Sequence, residues 1–353
     1  MKFFRITLIF LILLGVENSI YAQESSKKIH KEIEVNADAL IQINNAFGDL
    51  NITSWDQDKV VIDVLITVNG RNSKSVEEKL NTIEVFFLLS PEKVVAETKI
   101  DEGWSFKWFS NNSSYRIDYT IKLPKTSSAD LTNDYGTIRL NSLEGKARIN
   151  CDYGKLIIGE LYAADNILNF DYTSNSSIEY IKGGIINADY SGFDIEKAGQ
   201  IKLNADYTNA YFNSIETLEF NNDYGKLITD NIGTLTGSGD YLTLKCGVLN
   251  NRLSLENEFG LINIKQIEPS VESMFIDAEY TSINLGINLD WSFSYEIDLE
   301  YSGLRSSLAL EHSIENSKST EKYYKGTFNP RNTLSTLKIT SKFGSVKLNP
   351  SNQ

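Results

Sequence analysis

The stretch "NDYGTIRLNSLEGKARINCDYGKLIIGELYAADNILNFDYT", residues 133–173, holds Asp-Tyr three times, with its tyrosines at positions 135, 153 and 172. An acid, an aromatic and a tight turn thus return after 18 and then 19 residues. Following the aromatic gives Tyr135, Tyr153, Tyr172, Tyr190, Tyr207, Tyr224, Tyr241, Phe259, Tyr280 and Tyr301, at spacings of 17 to 21 residues. Outlying copies stand in "NAFGDLNI" around Phe47 and in "SKFGSVKL" around Phe343. A period of this length marks stacked repeat units, each too small to bury its apolar face alone.

Alternation inside one unit gives its local structure. In "GQIKLNADYTNAYF" the residues Ile201, Leu203, Ala205 and Tyr207 share one face and Lys202, Asn204 and Asp206 the other, the period of a half-buried strand. The apolar parity changes after the aromatic, as with Ile138 and Leu140 after Tyr135, so the chain turns a corner there. Gly136, Gly154, Gly225 and Gly260 are expected to take φ > 0 at that corner, and the aromatic to face inward. Leu143, Leu161, Ile215, Ile232 and Ile267, some eight residues on, are expected to plug the next bend. The fold predicted is all-β: a right-handed, β-helix-like β-solenoid of stacked coils of about 17–21 residues, spaced about 4.8 Å apart.

Four segments follow. Residues 1–22 read as a signal peptide: Lys2 and Arg5 precede the apolar "ITLIFLILLGV", and a small residue, Ala22, marks the cleavage site. Residues 23–124 form an N-terminal β-rich cap and first coil, with one short helix in "SKSVEEKLNTI" whose Ser75 and Glu78 stand at capping-box spacing. Residues 125–304 are the regular repeat coils, and 305–353 a C-terminal irregular segment with closing strands. Both ends are expected to protect the stack from edge-to-edge pairing. No stretch after the leader reaches the roughly 18 apolar residues of a membrane helix, so an exported, soluble monomer in the periplasm or at the cell surface is expected.

A formal charge of −13 and a pI near 4.8 exclude nucleic acid and disfavour docking on anionic lipid. Cys151 and Cys246 fall in coils five apart, on the order of 24 Å, where a disulfide needs Cα atoms within about 7 Å; two free, buried thiols are expected. His30 and His312 are placed in solvated loops. With no Cys/His ligand spacing, neither a metal centre nor a cofactor is predicted.

The polar pattern is equally periodic. Asp134, Asp152, Asp171, Asp189, Asp206, Asp223, Asp240, Glu258, Glu279 and Glu300 each precede the aromatic, and each is expected to accept a backbone N–H at its own corner. Bridging calcium is the sharper alternative for this row. Asn150, Asn169, Asn187, Asn204 and Asn221 suit an amide ladder. One patch breaks the repeat, "DEGWSFKWFSNNSS", with Trp104, Phe106, Trp108 and Phe109. It reads either as a hydrophobic lid over the first coils or as an aromatic binding platform.

The leader, the early "FGDLNITSWDQDKVVIDV", the "YTIKLP" strand and the recurrent "DYG" resemble the bacterial "putative adhesin" family of unknown function, common in Bacteroidota envelopes. The resemblance implies a β-solenoid exported to the envelope and brings no catalytic residues with it. Thr173, Ser191, Thr208 and Leu242 depart from the glycine corner. The function expected is therefore that of an exported, non-catalytic binding or scaffold protein, adhesin-like, with an envelope protein or glycan as partner. The competing class is a polysaccharide-active β-helical lyase or hydrolase using repeat-borne carboxylates. With two histidines and no nucleophile elbow, a hydrolytic triad has little support.

Overall fold

The computed structural model describes residues 23–100, 114–331 and 335–351. Among these the chain is all-β apart from one helix, Ser73–Asn81, and its strands join into an open sheet that does not close into a barrel.

The architecture is built from one unit, here called a rung and named by its corner aromatic. Between Tyr207 and Tyr224 the strand Asn209–Asp223 runs through two flat sections that meet at Ser214–Thr217. Residues 209–215 pair in parallel with 192–198, and residues 217–223 with 200–206, so each section continues its own row from rung to rung. Ala210, Phe212, Ile215, Leu218 and Phe220 are buried between the sections, while the residues between them point outward. Burial of such side chains is worth about 1.5–3 kcal/mol each, and the buried apolar residues form one continuous core. Leu143, Leu161, Ile215, Ile232 and Ile267 plug the gentle bend as expected, each no more than 2% exposed.

The rungs start at Phe47. Leu40–Ala46 lies parallel to Ser128–Asp134, and Leu50–Trp55 parallel to Thr137–Leu143. Beyond this rung, Lys93–Ile100 adds to the first row and turns back as Ile83–Leu89, while Ser114–Pro124 adds to the second and is followed by Lys59–Gly70 and Gln23–Glu34, both antiparallel. The outermost strand carries Lys27, Lys28 and Lys31, charges that discourage pairing with another edge.

At the other end, spatial order departs from chain order. Ser335–Lys342 lies between Ser273–Glu279 and Phe293–Glu300, parallel to both, and Ser345–Pro350 lies between Ser282–Ile287 and Gly303–Ser306. The final rung of the chain is thus inserted between the Tyr280 and Tyr301 rungs, which the simple succession of aromatics had placed side by side. The Tyr301 rung is outermost in its row but for the antiparallel strands Glu321–Phe328 and Glu311–Ser317.

Two local expectations need correction, and a third holds. The helix is capped by Asn72, whose side chain accepts from the Lys74 N–H at 2.9 Å; Ser75 lies inside the helix and donates to the Asn72 carbonyl. Asn one residue before the first turn outcompetes the serine because its oxygen reaches the open amide directly. His30 and His312 lie in strands rather than loops, His30 against Asp63 at 2.7 Å and His312 against the Tyr295 hydroxyl at 2.8 Å. Cys151 and Cys246 are free and buried, as expected, and burial pushes their thiols up to about 12 and about 11.

Candidate binding surface

The corner is made by the aromatic itself. Phe47, Tyr135, Tyr153, Tyr172, Tyr190, Tyr207, Tyr224, Tyr241, Phe259, Tyr280, Tyr301 and Phe343 all have φ between 47° and 63°, the left-handed region. The glycines that follow do not; among the described residues Gly184 alone combines glycine with positive φ. A left-handed residue swings its Cβ out of the strand's alternation, so the ring leaves the core that Leu203 and Ala205 face and stands outside the corner. Tyr207 is accordingly 49% exposed, where an inward position was expected.

The rings form a single stack. Eleven successive contacts run from Phe47 through Tyr280 to Phe343 and Tyr301, with centroids 4.7–5.2 Å apart and planes within 1–9° of parallel. Tyr115 closes the Phe47 end edge-on. A left-handed L-residue costs about 1–2 kcal/mol and an aromatic pair returns about 0.5–1.5 kcal/mol, so the stack offsets much of the strain of its own corners. Ring faces cover one another, and ring edges and hydroxyls face solvent. Desolvation in the stack raises the phenols of Tyr153, Tyr190 and Tyr224, with the neighbouring rings and carboxylates adding to it, so these hydroxyls are neutral donors at physiological pH.

Beside the rings runs the acid row. Along the middle of the row the carboxylates reach across to the next rung: Asp152 accepts the N–H of Asp171, Asp171 that of Asp189, Asp189 that of Asp206, and Asp223 that of Asp240, at 2.7–3.2 Å. The expected partner at the same corner is replaced because the neighbouring amide, one rung away, lies within reach of a short Asp side chain. Burial, and then the charge of Asp152, raises the carboxyl of Asp134. Next to the acids, amides of Asn169, Asn187 and Asn204 donate to Asn150, Asn169 and Asn187 at 2.7–2.8 Å, with Thr132 extending the ladder beyond Asn150. Acids and amides together line a trough of about 460 Å³ along rungs Tyr153 to Tyr224. Among the described residues no group of three His, Cys, Asp or Glu side chains has the arrangement to hold a metal ion.

The corner glycine serves space rather than φ. A Cβ on Gly136 would lie 1.7 Å from the Gly48 carbonyl oxygen and 2.8 Å from Asn133 Nδ2. Asn45, Asn133, Asn222 and Asn257, all buried, are each followed three residues later by glycine. Where Ala188, Ala205 or Ala278 takes the asparagine's place, Ser191, Thr208 or Thr281 takes the glycine's, and its hydroxyl fills the same corner; Thr208 Oγ1 donates to the Ala188 carbonyl at 2.7 Å. Ser191 and Thr208 are therefore a second version of one corner, whereas Thr173 follows Phe170 and Leu242 follows Gly239.

Trp104, Phe106, Trp108 and Phe109 lie outside the described residues. What sequence reasoning missed is the exposed ring stack, although a signal was present: inward positions exchange Ile, Leu and Val freely, whereas every corner carries Tyr or Phe.

No family model matches this sequence, and no curated protein does. Similar solved structures include a "putative adhesin" from Parabacteroides distasonis, 11% identical over 73% of this chain and 97% of the other, with a TM-score of 0.36. A "putative cell adhesion protein" from Clostridium sporogenes is 10% identical over 92% of this chain and 100% of the other, with a TM-score of 0.20. A "putative lipid binding protein" from Parabacteroides distasonis is 14% identical over 72% and 95%, with a TM-score of 0.27.

Proposed function

We propose that this chain is a β-solenoid exported to the bacterial envelope, where it acts as a non-catalytic, adhesin-like binding or scaffold protein. The exposed stack of twelve rings beside its rows of acids and amides carries this reading. It presents phenol donors, carboxylate acceptors and amides capable of both at an interval of about 4.9 Å. That lattice suits an extended, hydroxyl-rich polymer such as an envelope glycan better than a compact substrate. Parallel connections between successive rungs are of the kind that is right-handed in nearly all proteins. The leader pattern of residues 1–22 supports export, and no described helix is long and apolar enough to cross a membrane. Against the polysaccharide-active alternative, the trough's carboxylates all belong to the repeat and are engaged with neighbouring amides, so no pair is singled out as acid and nucleophile.

The aromatic patch at Trp104, Phe106, Trp108 and Phe109 enters the proposal as a lid or as a second platform. The test is binding of the chain from Gln23 onward to envelope glycans and envelope proteins, with Tyr190, Tyr207 and Tyr224 together replaced by Asn, which tolerates the left-handed corner. A loss of affinity of at least tenfold in the triple variant supports the reading. Unchanged binding, or release of new reducing ends from a glycan, overturns it.

A further inference from the structure

The rung inserted out of order marks a strand-accepting slot. Ser335–Lys342 and Ser345–Pro350 are paired on both sides by parallel strands, and the Phe343 ring lies between Tyr280 at 4.9 Å and Tyr301 at 5.0 Å. Its apolar residues Leu337, Ile339, Val346 and Leu348 are fully buried. Backbone bonds enter from one flank and leave to the other: Tyr280 N–H donates to the Lys342 carbonyl, and Phe343 N–H to the Glu300 carbonyl, both at 2.9 Å. Without this rung, two rows of strand edges would face each other unpaired.

The slot also has a charge code. In every other rung the residue before the aromatic is an acid, or Ala46 in the first; in the inserted rung it is Lys342. Lys342 stands in register with Glu279 on one side and Glu300 on the other, and Lys338 stands opposite Glu296. Direct stacking of the Tyr301 rung on the Tyr280 rung would instead oppose Glu279 and Glu300. The slot therefore selects a segment with alternating apolar residues, an aromatic corner and a base just before it. Among the rungs of this chain, residues 335–350 alone have that pattern, and the identical segment exists only on another copy.

We propose that this slot is an interaction site for a second copy of the chain, which donates its own residues 335–350 in exchange, so that the closed monomer and a strand-exchanged assembly use the same contacts. Exchange of identical elements is a low-cost route to assembly because every contact is already present in the monomer. The inference does not depend on what the ring stack binds.

The Ser302 and Ser341 hydroxyls, 3.0 Å apart across the slot, provide the probe. In the full chain, Ser302→Cys with Ser341→Cys is oxidised either from dilute solution or after annealing at high concentration just below the melting temperature. Cross-linked monomer is expected from the dilute sample, and reducible covalent dimer, absent from either single-cysteine variant, from the annealed one. Cross-linked monomer at every concentration overturns exchange, and absence of any cross-link overturns the slot. Independently of the cysteines, a labelled peptide of residues 335–351 annealed with the wild-type chain is expected to be incorporated at least tenfold more than its Lys342→Glu form. Equal incorporation of the two peptides, or none of either, overturns the proposal.

Discussion

Asn222 and Gly225 share one space: a Cβ on Gly225 would lie 2.4 Å from Asn222 Oδ1. Yet among the described residues neither amide atom of buried Asn222 has a hydrogen-bond partner, because the equivalent positions in the adjoining rungs are Ala205 and Gly239. An unpaired buried polar group costs about 1–3 kcal/mol. Converting this corner to its hydroxyl version, with Asn222→Ala and Gly225→Thr together, is expected to match or exceed wild-type stability. Gly225→Thr alone is expected to lose at least 2 kcal/mol, on the order of an overpacked core. Chemical denaturation of the four chains gives the coupling, and additive single effects would show that the two positions do not trade places.

The left-handed corner makes a prediction of opposite sign to ordinary strand preference. Tyr207→Gly and Tyr207→Val both remove a ring that stacks on Tyr190 and Tyr224. Only valine then keeps the cost of φ near 53°. Tyr207→Val is expected to be less stable than Tyr207→Gly by about 1–2 kcal/mol, although valine is the better strand former. A thermal melt ranking valine above glycine would mean that this corner is extended.

Asp49 ties the first rung to its neighbours, accepting from the Thr137 N–H at 2.9 Å and pairing with Arg139 at 2.9 Å and Arg116 at 3.0 Å. Burial pushes its carboxyl up, but the Thr137 amide and the two guanidiniums outweigh that and hold it below its ordinary 3.8. A depressed acid contributes stability above its unfolded pKa and loses it as pH falls through the folded one. Asp49→Asn is thus expected to cost about 1–3 kcal/mol at pH 7, with the gap to wild type closing below about pH 4. A difference that stays constant from pH 7 to pH 2.5 would assign the loss to packing.

Replacing Trp104 and Trp108 together by Ala separates a lid from a platform. Truncating buried tryptophans typically costs about 3–5 kcal/mol each, and a marked loss of stability is the expected result. A double variant that melts like wild type but no longer binds a glycan or envelope protein would instead make these rings a contact site.

Much of the repeat was legible because it is local. The alternation of Ile201 and Leu203 and the plugs at Ile215 and Ile232 follow from side-chain period within a few residues. The outward turn of Tyr207 was not, because a single left-handed residue inverts parity without altering the apolar pattern around it. The role of Gly136 was hidden for another reason: what excludes a side chain there is the Gly48 carbonyl of the adjoining rung, 88 positions away. Rung order at the C-terminal end was equally closed to local reading, since the strands of Tyr280, Tyr301 and Phe343 share one alternation. Lys342, the lone base in a column of acids, was the available clue.

The displaced last rung has a consequence for how the molecule is made. A chain emerging from its N-terminus can add rungs one upon another as far as Ile287, each new strand finding its template already in place. Residues 293–306 then have no template, because the strands they lie against, Ser335–Lys342 and Ser345–Pro350, are still to be synthesised. The Tyr301 and Phe343 rungs must therefore settle together once residues 335–350 are available. A product cut short between Ile287 and Ser335 leaves the Tyr280 rung with an open edge and the Tyr301 rung without the strands it lies against.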